Sequence, residues 1–232
     1  MRIEKIPTPI SLEDLLEGLE TGFLLEIKEE DKVRIHAAMS EADVVRYYQA
    51  VGALEDDQRQ KVLDGWIPRP KILYHASHNG SIETFEPREE SKRHPNDPPR
   101  IYASPMETVS SMFLLEQSNT DISGSYDGGK TWVLVAKSIE DLKRRNQKGY
   151  IYTFDPGAFS ADVEKGLGLY EWFSEKSIVP TNKEETEPAL QEMLKLGVEI
   201  YIPSSEVPME KFQSGDQALL LSKMRQITLE DL

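Results

Sequence analysis

WIPRPKILYHAS, Trp66 to Ser77, is the stretch in which the chain changes its period. Pro68 and Pro70 flank a single residue, which stops a helix and forces an extended connection. Immediately after them, Lys71–Ser77 (KILYHAS) reads as a strand, so the boundary falls here: a helical N-terminal region over 1–69 and a second domain over 70–232. Upstream the apolar spacing is helical. Ser11 opens a helix with Leu12, Leu15, Leu16 and Leu19 on one face and Gly22 at its end. Ser40 opens another, with Val44, Val45, Tyr48 and Val51 turned inward, and a third runs from about Ala53 to Asp64 with Leu54, Val62 and Leu63.

Downstream, short β-like runs alternate with loops and isolated helices. RIYAS (Arg100–Ser104) is a strand that runs into Ser104-Pro105-Met106-Glu107, with Ser at the cap, Pro at the first helical position and Glu at the third. Met106, Val109, Phe113 and Leu114 make the apolar stripe of that helix. TWVLVAK (Thr131–Lys137), GYIYTF (Gly149–Phe154), LYEWFS (Leu169–Ser174) and VEIYI (Val198–Ile202) are further strands. Glu187–Leu196 is a helix closed by Gly197, and the tail holds a helix through Leu219–Met224. Polar loops occupy Glu86–Pro99 and Ser118–Lys130. The class is α+β.

Composition narrows the chemistry. The 232 residues carry 41 acids and 27 bases, a net charge of −14 at pH 7, a surface expected to repel phosphate backbones and not to coat nucleic acid in bulk. There is no cysteine, which removes disulfides, thiolate zinc sites, iron–sulfur clusters and a cysteine nucleophile. The opening MRIEKIPTPISLEDLLEG has no secretory apolar run and no segment is long and apolar enough for a bilayer, so a soluble cytoplasmic protein is expected, with no membrane partner. The four histidines (His36, His75, His78, His94) have no metal-motif spacing, and no metal is expected. DGGKT, Asp127–Thr131, lacks the P-loop glycine and leads into a strand rather than a helix, so it reads as a hairpin turn. There is no G-x-S-x-G elbow.

Three strand motifs remain: LYHAS with His75, IYASP with Tyr102 and Ser104, and YEWFS with Glu171 ahead of Ile178-Val179-Pro180. Each has an ordinary alternative. His75 can satisfy a backbone carbonyl, Tyr102 can be packing, and Glu171 can face solvent. In this order, with Phe85-Glu86-Pro87 between the first two, they resemble the ADP-ribosyltransferase superfold, in the branch that begins with a Y-H-[GA]-S strand. The resemblance covers about residues 71–203 and departs from the pattern at Ala76, where glycine is common, and in lacking an E-x-E pair.

That resemblance implies a split antiparallel or mixed β-sheet core and NAD as a substrate. It puts His75 on the NAD ribose, Tyr102 and Ser104 near nicotinamide, and Glu171 as the catalytic carboxylate beside His75. Phe113 falls where a second aromatic sandwiches nicotinamide, although it also belongs to the helix's stripe. Glu175, four residues on, is the rival carboxylate. The expected function is an NAD-dependent ADP-ribosyltransferase or NAD glycohydrolase, with its ADP-ribose acceptor open. The alternatives are a non-catalytic binding protein on the same fold and an acidic inhibitor protein. Oligomeric state is not encoded in these motifs.

Overall fold

Among the described residues, four helices succeed one another in the first of the two compact units, Met1–Pro70 and Lys71–Leu232, into which the computed structural model divides. It describes residues 9–21, 27–92, 95–116, 118, 120–125, 127–163, 168–204, 207 and 217–232. The helices are α1 (Leu12–Glu20), α2 (Glu29–Ala38), α3 (Glu41–Gly52) and α4 (Asp56–Gly65). Ser11 and Ser40 start α1 and α3 by one device. Each hydroxyl accepts the amide of the third helical residue, Asp14 or Asp43, whose carboxylate reaches back to the serine amide. Leu15, Leu16 and Leu19 of α1 are buried, as are Val44, Tyr48 and Val51 of α3, joined by Tyr47, Ile35 and Met39. Val45 is only half-buried. The hydroxyls of Tyr47 and Tyr48 donate to the carbonyls of Trp66 and Pro68, which pins the extended WIPRP segment to α3.

Two readings need correcting in this unit. The helix expected from Ala53 starts at Asp56 and buries none of its residues, while Leu54 is buried just ahead of it. Helix α2 has no counterpart among the expected elements, because EEDKVRIHAA has no apolar stripe and buries only Asp31 and Ile35. Gly22 and His94 lie outside the described residues.

The second unit contains, in order, β1 (Leu73–Ser77), β2 (Ile101–Ala103), α5 (Glu107–Ser111), β3 (Ile122–Ser125), β4 (Trp132–Val135), α6 (Ile139–Arg145) and β5 (Tyr150–Phe154). It continues with β6 (Ser160–Ala161), β7 (Trp172–Ser174), β8 (Asn182–Glu185), α7 (Ala189–Lys195), β9 (Glu199–Ile202), α8 (Gln217–Leu221) and β10 (Arg225–Ile227). The class is mixed α+β, with eight α-helices and three sheets among the described residues. One sheet runs β1-β5-β8 and a second β2-β7-β6, both antiparallel. The third, β10-β9-β4-β3, has β4 and β9 parallel and its other pairs antiparallel. Among the described residues, no helix is long and apolar enough to cross a membrane.

Register brings distant motifs together. The β2–β7 ladder pairs Ile101 with Ser174, Tyr102 with Phe173 and Ala103 with Trp172. Ser104 follows directly on β2, whose one edge that ladder occupies. On its other side Ser104 bridges to Tyr74 of β1, amide to carbonyl in both directions at 2.7 and 2.8 Å. The segment 101–104 is therefore a seam with β1 on one edge and β7 on the other.

The helix expected directly after Ser104 begins later. Ser104 Oγ accepts the amide of Met106 at 3.1 Å, a local turn that takes the place of the cap, and α5 starts at Glu107 without a side-chain cap. After Ser111 the chain tightens into a 3-10 turn, Met112–Leu114. The shorter 3-10 repeat rotates Phe113 off the apolar stripe. Phe113 is 53% exposed, whereas Val109 and Leu114 are buried as expected.

Candidate functional site

His75 is the central residue of β1, opposite Tyr152 of β5. Its Nδ1 lies 2.7 Å from the carbonyl oxygen of Tyr102. A carbonyl only accepts, so Nδ1 carries the proton and Nε2 is the acceptor of the neutral ring. Phe85 packs edge-on against the imidazole at 4.9 Å between centroids, and it also meets Tyr152 at 4.9 Å and Phe154 at 5.2 Å. Phe85 is fixed in turn by an antiparallel bridge to Ile178. The bland reading of His75 as a partner of a backbone carbonyl therefore holds for one ring nitrogen and leaves the other for a ligand.

Enclosure among these rings pushes the His75 pKa below the ordinary 6.5, and the Tyr102 carbonyl, which favours the charged form, only partly offsets it. The folded protein thus binds this proton less readily than the unfolded chain does. The stabilising contribution is complete above about pH 6.5 and is lost as pH falls towards the lower folded-state value. Urea midpoints should drop between about pH 7.5 and about pH 5 by more in the wild type than in His75→Gln, which has no such proton to refuse. Equal drops would remove His75 from the acid response.

Glu171 leads into β7 rather than lying within it, directly after a 3-10 turn, Gly168–Tyr170, whose Gly168 carbonyl accepts the Glu171 amide at 3.0 Å. It is 5% exposed, which rules out the solvent-facing reading. Its neighbour Tyr170 is held by the β3–β4 hairpin, whose turn is the DGGKT segment. The Tyr170 hydroxyl donates to the carbonyl of Gly128, and its ring meets Trp132 edge-on at 5.3 Å. Asp127 accepts from the Thr131 amide at 2.8 Å and the Ser125 hydroxyl at 2.9 Å, and that hydroxyl accepts the Gly129 amide.

Gly129 has φ +91°, a region costly for any side chain, and a Cβ there would overlap the Tyr170 ring. Gly129→Ala should cost about 1–3 kcal/mol of stability and disturb whatever the Glu171 carboxylate does. A variant of unchanged melting temperature would show that the turn yields freely.

His75, Tyr102, Ser104, Phe113 and Glu171 all line one cavity of about 330 Å³. That volume sits at the lower end of the roughly 300–1,000 Å³ usual for small-molecule sites. Apolar walls come from Ile82, Phe85, Val109 and Tyr170, and two arginines, Arg88 and Arg100, reach it. Glu175 does not line it. That carboxylate accepts from Arg100 Nε at 3.2 Å with its side chain 48% exposed. Of the two polar loops expected at a substrate rim, Glu86–Pro99 contributes Glu86, Arg88 and Ser91, while none of the wall comes from the described part of Ser118–Lys130.

Sequence reading misses Arg88, Arg100 and Ile82. The only signal for Arg100 is its place one residue ahead of β2. Among the described residues no group of three histidine or acidic side chains is set to hold a metal ion. No family model, curated protein or solved structure matches this chain.

Proposed function

We propose that the second unit is an NAD-dependent ADP-ribosyltransferase, or an NAD glycohydrolase where water is the acceptor, on a sheet core of ADP-ribosyltransferase type. One observation carries this reading: His75 and Glu171, about a hundred positions apart in the chain, line a single cavity together with Tyr102 and Ser104. The cavity's composition suits the nicotinamide riboside part of NAD. Tyr102 and Phe113 offer rings for a flat heterocycle. His75 Nε2 offers an acceptor for a sugar hydroxyl, and Glu171 supplies a charge at a buried wall.

The chemistry needs little else from the protein. As the bond between nicotinamide and ribose breaks, its electron pair leaves with the base and positive charge grows on the sugar. The Glu171 carboxylate stabilises that charge more in the transition state than in the ground state. Its setting among Tyr170, Trp172 and Phe173 lowers the local dielectric and strengthens the effect. The neutral His75, held by the Tyr102 carbonyl, orients the ribose without transferring a proton. An acceptor nucleophile then bonds to the ribose carbon and gives up its proton. With water the products are ADP-ribose, nicotinamide and a proton.

Incubation of the full chain with NAD, read by chromatography for free nicotinamide, tests the reading, alongside a melting curve with and without NAD. Nicotinamide release together with a raised melting temperature is expected. Neither change at millimolar NAD would overturn it.

A further inference from the structure

Arg100 is one of two cationic residues of the cavity that the proposed chemistry does not use. Its guanidinium lies over the Phe173 ring, 3.8 Å from the centroid, and its Nε donates to Glu175 at 3.2 Å. Asp162 approaches Nη1 only to 4.0 Å, beyond hydrogen-bond reach, and the side chain is 15% exposed. One face and one edge of the group are therefore fixed, while the N–H groups of its two terminal nitrogens make no hydrogen bond among the described residues.

Arg88 stands directly opposite, paired with Arg100 in an isolated antiparallel bridge. It is exposed, has no ion pair among the described residues, and lines the same cavity. Like charges facing one another across strands destabilise the pairing, and Glu175 offsets only one of them. Glu86, which lines the cavity as Glu171 does, is engaged by the Ser177 hydroxyl. The bridge puts both residues at the wall of one cavity, with the Arg100 guanidinium already oriented, and guanidinium groups match the oxygens of a phosphate through parallel N–H···O bonds.

We infer that Arg88 and Arg100 form a subsite for a phosphate group of a small-molecule ligand at the wall of this cavity. The subsite stands on the geometry of the two arginines and does not depend on the transfer reaction proposed above. The phosphate has two possible sources: the pyrophosphate of the dinucleotide, or a phosphate carried by the acceptor.

Calorimetric titration of the full chain with inorganic pyrophosphate at low salt is the test. Saturable binding is expected. It should weaken about tenfold in Arg88→Ala, whose exposed side chain can be removed without disturbing the fold, and about a hundredfold in Arg100→Gln. The same variants titrated with NAD and with nicotinamide riboside separate the sources. Weaker NAD binding with unchanged nicotinamide riboside binding assigns the subsite to the dinucleotide. Unchanged NAD binding, with pyrophosphate binding alongside NAD, assigns it to the acceptor. Pyrophosphate that fails to bind, or that binds wild type and both variants alike, overturns the subsite. A protein that binds pyrophosphate through Arg88 yet releases no nicotinamide would overturn the transferase reading and leave the subsite in place.

Discussion

Glu171→Gln should reduce nicotinamide release from NAD at least about a hundredfold, the scale seen when a preorganised electrostatic contact to a transition state is removed. The change is close to isosteric at a site that is 5% exposed, so the packing around Tyr170 and Trp172 is kept and the charge alone is lost. In the proposed reaction the Glu171 carboxylate acts on charge that appears only as the glycosidic bond breaks. The fall should therefore appear in kcat and equally in kcat/KM, with little change in KM. A matching rise in KM at constant kcat would assign the residue to ground-state binding instead. Unchanged turnover in Glu171→Gln, with turnover lost in Glu175→Gln, would move the role to the carboxylate that accepts from Arg100. Melting temperature serves as the fold control, since a glutamine whose amide finds no partner at this buried position would also cost stability.

The helical first unit is legible because its signals are local. Serine caps with an acid three residues on, and leucines at helical spacing, give α1 and α3 directly from the sequence. The elements that cannot be read this way bury almost nothing. Each of the four residues of β8 is exposed, and only Leu142 of α6 is buried, so neither leaves a hydrophobic period. Helix α6 does carry a local signal in its cap, since the Ser138 hydroxyl accepts the Asp141 amide at 3.2 Å. Strand β3 is hidden by the short, glycine-bearing sequence ISGS, which pairs with β4 as a hairpin edge.

The site is legible in its members and illegible in its assembly. Motif order singles out His75, Tyr102 and Glu171, but what gathers them is ladder register. The Tyr74–Ser104 bridge and the pairing of β2 with β7 are long-range contacts that no local window contains. Phe113 reads as a stripe residue only because a helical wheel cannot register the switch to a 3-10 turn at Met112.

Asp121→Ala should be the most destabilising single change in the second unit outside its aromatic core. Asp121, at the entry to β3, accepts from both terminal nitrogens of Arg145 at 2.7 and 3.3 Å, and Arg145 also reaches Asp141 at 2.7 Å and the carbonyl of Glu116. The two side chains are 5% and 9% exposed, so water screens this pair far less than a surface one. Removing the acid leaves a nearly buried guanidinium with Asp141 as its remaining counter-charge among the described residues, a loss of about 3–5 kcal/mol by comparison with other broken buried pairs. Replacing both partners, as in Asp121→Leu with Arg145→Met, should recover most of that loss, because burying the two charges is itself costly and the attraction only offsets it. Urea unfolding of the two variants against wild type measures both numbers.

The effect should also reach the cavity. Arg145 ties the end of α6 to the start of β3, β3 carries the turn that holds the Tyr170 hydroxyl, and Tyr170 precedes Glu171. Asp121→Ala should therefore lower nicotinamide release even well below its melting temperature, while the doubly apolar variant, stable but without the directional pair, should restore stability more fully than turnover. Recovery of both to the same extent would mean that the hairpin needs only to be folded. Recovery of stability alone would mean that the guanidinium fork sets the register of β3 and, through Tyr170, the position of the carboxylate.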